Sequence, residues 1–171
     1  MLKDGLLLRD FLPEDIGLIS QLSEDPEVGY FDGNPVSGGW FREEQQQLTW
    51  VALLLGEGAA QPFGVVICRR VNMEPTVYAV GIDLTAECRG LGLGRLVMRQ
   101  VLRRLFVDLA ADRVELLVRD YNLRAIRCYE AVGFRHEGLR RQCGQMAEGR
   151  YGEVLMGLLR EEYFGPAVSR D

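Results

Sequence analysis

The fold is decided between residues 77 and 96, where the chain reads VYAVGIDLTAECRGLGLGRL. The first eight residues are apolar and β-branched, as in a buried strand. Three glycines at alternate positions, Gly90, Gly92 and Gly94, then lead into a sequence with the apolar periodicity of a helix. Glycine lets a backbone approach an anion closely, and the first N–H groups of a helix point at it unpaired. The segment therefore predicts a strand, an anion-binding turn and a helix, with Arg89 and Arg95 adding positive charge.

Two other phosphate-binding motifs do not fit this segment. A dinucleotide fingerprint G-x-G-x-x-G would need glycine at the position of Arg95. A P-loop needs Gly-Lys-Ser/Thr, and Lys3 is the only lysine of the chain.

Upstream of this segment, the sequence predicts a strand at residues 5–9, a helix from Pro13 and a long loop from Asp25 to Gly39. Strands follow at 50–55, 63–68 and 77–84, and the turn-like separators between them favour an antiparallel meander. Downstream, we expect a helix at about 93–109, a strand at 114–118, a helix at 122–131 and two strands near 134–142 and 153–159. The prediction is an α/β fold with a mixed sheet, in one domain that spans residues 1–171.

Composition excludes several classes of protein. No apolar run is long enough to cross a bilayer and no signal peptide follows Met1, so we expect a cytoplasmic protein with no membrane partner. The four cysteines are widely spaced and His136 is the only histidine, which argues against a metal site and for free structural cysteines. Cys88 and Cys128 have no histidine placed by sequence to activate them, so neither is assigned a catalytic role.

Charge is divided unevenly along the chain. Residues 1–88 carry 5 Lys and Arg against 14 Asp and Glu, a net charge of −9, whereas residues 89–150 carry 13 against 7, a net charge of +6. The acidic part suits a cationic partner and the basic part an anionic one. The overall acidic balance argues against general nucleic-acid binding. The oligomeric state stays open, a homodimer included.

Two motifs together resemble the GCN5-related N-acetyltransferase (GNAT) superfamily. Arg89-Gly90-x-Gly92-x-Gly94 matches its acetyl-CoA signature, and a second match runs from Val118 through Asn122, Ala125 and Tyr129 to Gly133-Phe134. The resemblance covers nearly the whole chain. It implies a GNAT-like fold, in which an antiparallel meander is followed by β-α-β-α-β-β around a splayed central strand pair. The motifs Glu137-Gly138-x-Arg140 and Tyr151-Gly152-Glu153 look like the branch that acetylates ribosomal-protein N-termini (RimJ/RimL-like), although some aminoglycoside N-acetyltransferases share the same opening.

The resemblance implies an enzyme that transfers an acetyl group from acetyl-CoA, its co-substrate, to a primary amine by direct attack in a ternary complex. Backbone groups of Ile82 and Leu84 would pair with the pantetheine, and amides from Leu91 through Gly92, Leu93 and Gly94 to Arg95 would hold the pyrophosphate. Arg89 and Gly90 belong to the same cofactor site, and Asn122 would cap the next helix and could contact the cofactor arm.

Catalytic candidates follow from the same resemblance. Tyr129 is the candidate general acid for the CoA thiolate. Asp83 is the candidate base, and Glu27 and Asp32 are alternatives that could instead attract a cationic amine. Trp40 could form an apolar wall over the acceptor. His136 is expected to be exposed or structural.

Alternatives to this enzyme also fit the sequence. One is a non-catalytic acyl-CoA-binding or regulatory module, and another is a nucleotide-phosphate binder unrelated to CoA. Within the superfamily, the acceptor could be a protein N-terminus, an aminoglycoside or a polyamine.

Overall fold

The computed structural model describes residues 5–25, 47–54, 60–146 and 149–165. Glu27, Asp32 and Trp40 lie outside these residues. Within them, the strands are β1 (Leu6–Asp10), β2 (Gln47–Leu54), β3 (Gln61–Asn72), β4 (Val77–Leu84), β5 (Arg113–Arg119), β6 (Arg135–Met146) and β7 (Gly149–Leu159). The helices are α1 (Ile16–Ser23), α2 (Leu93–Arg103), α3 (Leu123–Glu130) and α4 (Arg160–Phe164).

These strands form one mixed sheet in the order β1-β2-β3-β4-β5-β7-β6. β1 to β4 are paired antiparallel, as are β5, β7 and β6, and only the pair between β4 and β5 is parallel. The predicted meander and the following α/β half are therefore both confirmed.

The sheet opens at its single parallel pair. β4 and β5 pair only through Val77–Arg113, Tyr78–Val114 and Ala79–Glu115. Beyond these residues β4 stays paired with β3 as far as Leu84, and β5 stays paired with β7 as far as Arg119. Each strand follows its own half of the sheet, so a gap opens between their C-terminal ends. This is the splayed strand pair that the resemblance implied.

The core lies on both faces of the sheet. On one face α2 buries Leu93, Val97, Val101 and other apolar side chains against strands from both halves. On the other face Leu18 and Leu22 of α1 cover Val51, Leu53 and Val65. The apolar periodicity of both helices produces these contacts.

Three local features differ from the prediction. α2 ends at Arg103 and continues as a π-helical turn, Arg104–Asp108, in place of a regular helix to residue 109. A 3₁₀ turn, Pro13–Asp15, precedes α1, and buried Asp15 accepts bonds there from the Leu12 N–H at 2.8 Å and from Arg9. The short helix α4 was not predicted. Among the described residues, no helix has the length and apolar character that crossing a membrane requires.

Candidate active site

A cleft of about 330 Å³ lies where β4 and β5 part. Its walls come from the end of β4, the glycine turn, the first turn of α2 and the inner side of α3. The lining residues are Ile82, Asp83, Leu84, Arg89, Gly90, Gly92, Gly94, Arg95, Asn122, Arg124, Ala125, Cys128 and Tyr129.

The glycine turn has a backbone that requires glycine. Gly90 and Gly92 have φ values of 76° and 81°, in the left-handed region, and Gly92 is the N-cap of α2. No atom lies within 4 Å of the position that a Cβ would take at either residue. Because glycine leaves this space empty, a ligand can approach the backbone of the turn. At Gly94 an added Cβ would lie 3.4 Å from Cys128 Sγ, because the start of α2 packs closely against α3.

The first turn of α2 presents N–H groups to this cleft. The Arg95 N–H donates to Gly92 O at 3.1 Å. The N–H groups that come before it in the first turn have no carbonyl partner within the helix itself. Together with the helix dipole and the Arg95 side chain, these amides make this end of the helix electropositive, which suits an anion.

Asp83 is a partly buried carboxylic acid on β4. Burial raises the pKa of Asp83 to about 6, while Arg89 and Arg119 lower it and Asp25 raises it. A carboxyl group with this pKa is ionised at neutral pH yet basic enough to accept a proton, so it suits general base catalysis.

Tyr129 enters the cleft from α3, on the side opposite β4. It is 7% exposed, and its ring packs edge-to-face on Phe134 with the centroids 5.9 Å apart. Asn122 is the N-cap of α3, and its side chain accepts the Ala125 N–H at 3.1 Å. This is the predicted N-cap, and it fixes the first turn of the helix that carries Tyr129.

Most of the predicted site residues meet in this cleft, with two exceptions in the glycine turn. The Leu91 side chain is 65% exposed and Leu93 is 2% exposed in the core, so only their backbones could serve the site. Ile82 and Leu84 line it, and Leu84 O accepts the Arg89 Nε–H at 2.9 Å.

Sequence reasoning missed Arg124 and Ala125 as cleft residues, whereas it placed Cys128 near the site without a catalytic role. Arg124 lies in the first turn of α3, two residues after its N-cap. Its place inside the second motif was the feature of the sequence that could have identified it as a site residue. Cys128 is half-buried, and burial raises its thiol pKa against the opposing effect of Arg95, which agrees with an unreactive thiol.

Of the residues judged structural by sequence, Cys128 lines the cleft, whereas His136, Cys68, Cys88 and Cys143 are not among its lining residues. His136 is exposed and bonds Glu130 at 2.9 Å. The four cysteines are free: Cys68 and Cys88 are buried, Cys128 is half-buried and Cys143 is exposed. Within the described ranges, no cluster of three His, Cys, Asp or Glu side chains could hold a metal ion.

Comparisons with known proteins agree with this architecture. Residues 17–134 match the sequence profile of the acetyltransferase (GNAT) family. The chain is 26% identical over 164 residues to the SPbeta prophage-derived uncharacterized N-acetyltransferase YokL of Bacillus subtilis, covering 94% of this chain and 93% of that protein. It is 30% identical over 124 residues to the aminoglycoside N(6')-acetyltransferase type 1 of Klebsiella pneumoniae, which covers 71% of this chain and 52% of that protein.

A solved structure shows the same fold. The spermidine N-acetyltransferase of Vibrio cholerae, in complex with CoA and spermine, superposes with a TM-score of 0.78 at 18% identity. The match covers 95% of this chain and 100% of that one.

Proposed function

Since the chain belongs to the GNAT family and is an acetyl-CoA-dependent N-acetyltransferase acting on an amine, we propose that its acceptor is a small cationic amine and that Asp83 and Tyr129 carry the proton transfers. The observation behind this proposal is the cleft between the end of β4, the start of α2 and α3, which brings together a carboxylate, a phenol and a helix start that suits an anion.

The chemistry of the cleft fits acetyl-CoA. The glycine turn, the first amides of α2 and Arg95 suit a pyrophosphate, and Arg124 adds a second cation at the start of α3. Between β4 and β5, the unpaired strand edges offer backbone groups to the amides of pantetheine, with Ile82 and Leu84 nearest the turn. When bound, acetyl-CoA supplies the acetyl group as an activated thioester.

Asp83 and Tyr129 would act on the two sides of the reaction. The attacking amine must be neutral, so Asp83 accepts a proton from the acceptor ammonium. The neutral amine forms a bond to the carbonyl carbon as the bond between that carbon and the sulfur breaks, and Tyr129 donates its phenolic proton to the departing thiolate. The second proton that the new amide nitrogen loses then restores the phenol. No acyl-enzyme is required, and no Cys, Ser or Lys of the described cleft is needed as a nucleophile.

The charge of the N-terminal half and the similar acetyltransferases both support a cationic acceptor. Residues 1–88 have a net charge of −9, which favours a polycation over a neutral or acidic partner. An aminoglycoside acetyltransferase matches 71% of the chain, and the fold is shared with a spermidine acetyltransferase. We therefore place aminoglycosides and polyamines first. Glu27, Asp32 and Trp40 remain proposed acceptor contacts.

The free cysteines fit a reducing, cytoplasmic setting.

A protein N-terminus is the second candidate acceptor. Its support is the pair of terminal motifs around Glu137–Arg140 and Tyr151–Glu153, which resemble the branch that acetylates ribosomal proteins.

The experiment is a turnover assay with acetyl-CoA and a panel of amines, in which the release of free CoA thiol is measured. The panel contains polyamines, aminoglycosides and peptides with free N-termini, each matched to its N-acetylated form as a control. We expect turnover with a polyamine or aminoglycoside and none with the blocked amine. Preference for the peptides would overturn the acceptor proposal, and failure across the whole panel would favour a non-catalytic CoA-binding module.

A further inference from the structure

The Arg89 side chain lines the cleft and also contacts the end of β4 and the residue Asp25 that follows α1. Its Nε–H donates to Leu84 O at 2.9 Å, and its Nη2 lies 2.7 Å from Asp25 Oδ2. At least two of its three guanidinium nitrogens therefore contact the protein itself.

Asp25 lies two residues beyond the end of α1, where its N–H bonds Leu22 O at 3.2 Å. The side chains of Arg89 and Asp25 are 11% and 17% exposed, so the ion pair is largely shielded from water. An ion pair in this setting is screened little by salt, and removing one partner leaves the other as an uncompensated charge. The contact joins three elements: α1, the end of β4 and the turn that begins at Arg89.

The same pair borders Asp83. Arg89 lies beyond the end of β4, Arg119 ends β5 and Asp25 follows α1, and these three charges act on the Asp83 carboxyl group. The neighbour of Asp83 on β3 is Val65, which is apolar. The remaining titratable or charged groups of the cleft come from α2 and α3 and are Arg95, Arg124, Cys128 and Tyr129.

We propose that the Asp25–Arg89 pair is a positioning element of the active site. It fixes the end of β4, and with it Asp83, to the end of α1, and it balances the charge beside that carboxylate. This inference rests on the proposed function in one respect, namely that Asp83 takes part in proton transfer.

A different role for Arg89 would be direct binding of a CoA phosphate by its side chain. The two roles predict opposite effects of a change at Asp25. If Arg89 binds phosphate, Asp25→Asn frees the guanidinium and leaves CoA affinity unchanged or increased. If the pair is a positioning element, Asp25→Asn loosens the turn and weakens CoA binding, as Arg89→Gln does.

The test is a titration of Asp83 by carbon NMR of its carboxyl group in the full chain without ligand, assigned with Asp83→Asn. Asp25→Asn removes an anion and should lower the Asp83 pKa by roughly half a unit, and Arg89→Gln removes a cation and should raise it by a similar amount. Arg89→Lys keeps the charge and should leave the titration near that of the parent protein. The double variant Asp25→Asn/Arg89→Gln removes both charges and should lie between the single variants, which keeps the test available if one single variant does not fold.

Calorimetry with CoA on the same proteins completes the experiment. Opposite shifts of the Asp83 pKa, with weaker CoA binding in both single variants, support the positioning role. An Asp83 titration that neither change moves, or CoA binding by Asp25→Asn that is unchanged or tighter, overturns it. Because these readouts need no turnover, they stand apart from the proposed function, which fails instead if Asp83→Asn keeps full acetyltransferase activity.

Discussion

Asp83 is held by the fold in a setting that favours its neutral form. Its pKa is raised from 3.8 to about 6, mainly by burial. An acid with a raised pKa destabilises the fold above that pKa, and the cost disappears as the pH falls towards the unfolded value. The carboxylate therefore reduces stability at the pH where it would act as a base.

We predict that Asp83→Asn stabilises the protein near neutral pH. A pKa difference of this size corresponds to on the order of 1–3 kcal/mol, or a melting temperature a few degrees higher. The gain should shrink as the pH falls through 6 and vanish below about 3.8, the unfolded-state pKa. Thermal melts from pH 8 to pH 4 measure it, with Asp108→Asn, a change at an exposed acid of the π-helical turn, as the control. A gain that does not depend on pH would contradict the account.

Tyr129→Phe removes the proposed acid and keeps the ring that packs on Phe134. We expect kcat to fall by about 100-fold while the Kd for CoA stays within about twofold, because the phenol acts on the leaving thiolate. Stopped-flow turnover and calorimetry measure the two quantities. Tyr163→Phe, whose ring stacks on Phe106 at 4.7 Å outside the cleft, should change neither. Unchanged kcat in Tyr129→Phe would remove Tyr129 from the mechanism.

At the scale of the elements, β3 packs closely against β4 at Gly64. A Cβ at this position would lie 2.8 Å from Asp83 O and 2.5 Å from a methyl carbon of Leu84. Any larger residue must therefore displace the end of β4, which carries the proposed base.

We predict that Gly64→Ala destabilises the protein by about 1–3 kcal/mol and weakens CoA binding, since the displaced backbone borders the cleft. Chemical denaturation and calorimetry provide the measurements. Gly17→Ala is the matched control, because nothing lies within 4 Å of a Cβ there and alanine favours the helical conformation of α1. Equal stability and affinity in the two variants would show that the close contact does not position β4.

Asn122 combines two roles at the start of α3, and Asn122→Asp separates them. Aspartate keeps the acceptor for the Ala125 N–H and suits a helix N-terminus, so the melting temperature should stay or rise. A negative charge in a cleft that binds phosphates should weaken CoA binding by about 10-fold. Unchanged CoA affinity in calorimetry would show that the bound phosphates lie away from Asn122.

At the scale of the whole molecule, the sequence predicts the order and type of the strands well. Alternating or continuous apolar runs and turn-forming separators determine them locally, and two motifs, the glycine turn and the sequence of α3, place the cleft at the end of β4. Short elements without a strong pattern were missed, as with α4, which begins just where β7 ends.

Contacts between residues distant in sequence could not be predicted from local patterns. The partnership of Arg89 with Asp25 depends on where α1 ends relative to β4, and no local pattern encodes it. Arg124 lines the cleft because α3 faces α2 across the gap, which is a property of the folded sheet. The pKa of Asp83 likewise depends on burial created by elements distant in sequence.

The central claim is that acetyl transfer occurs in the cleft between β4 and β5 with Asp83 as the base. Its most direct test is the pH dependence of kcat at saturating acetyl-CoA and amine, for the parent protein and Asp83→Asn. We expect the rate of the parent protein to fall about tenfold per pH unit below pH 6, where Asp83 becomes protonated. Asp83→Asn should lose at least 100-fold of kcat at pH 7.5 and show no decline centred at pH 6. An Asp83→Asn variant with the parent's rate and the parent's acid limb would contradict the claim.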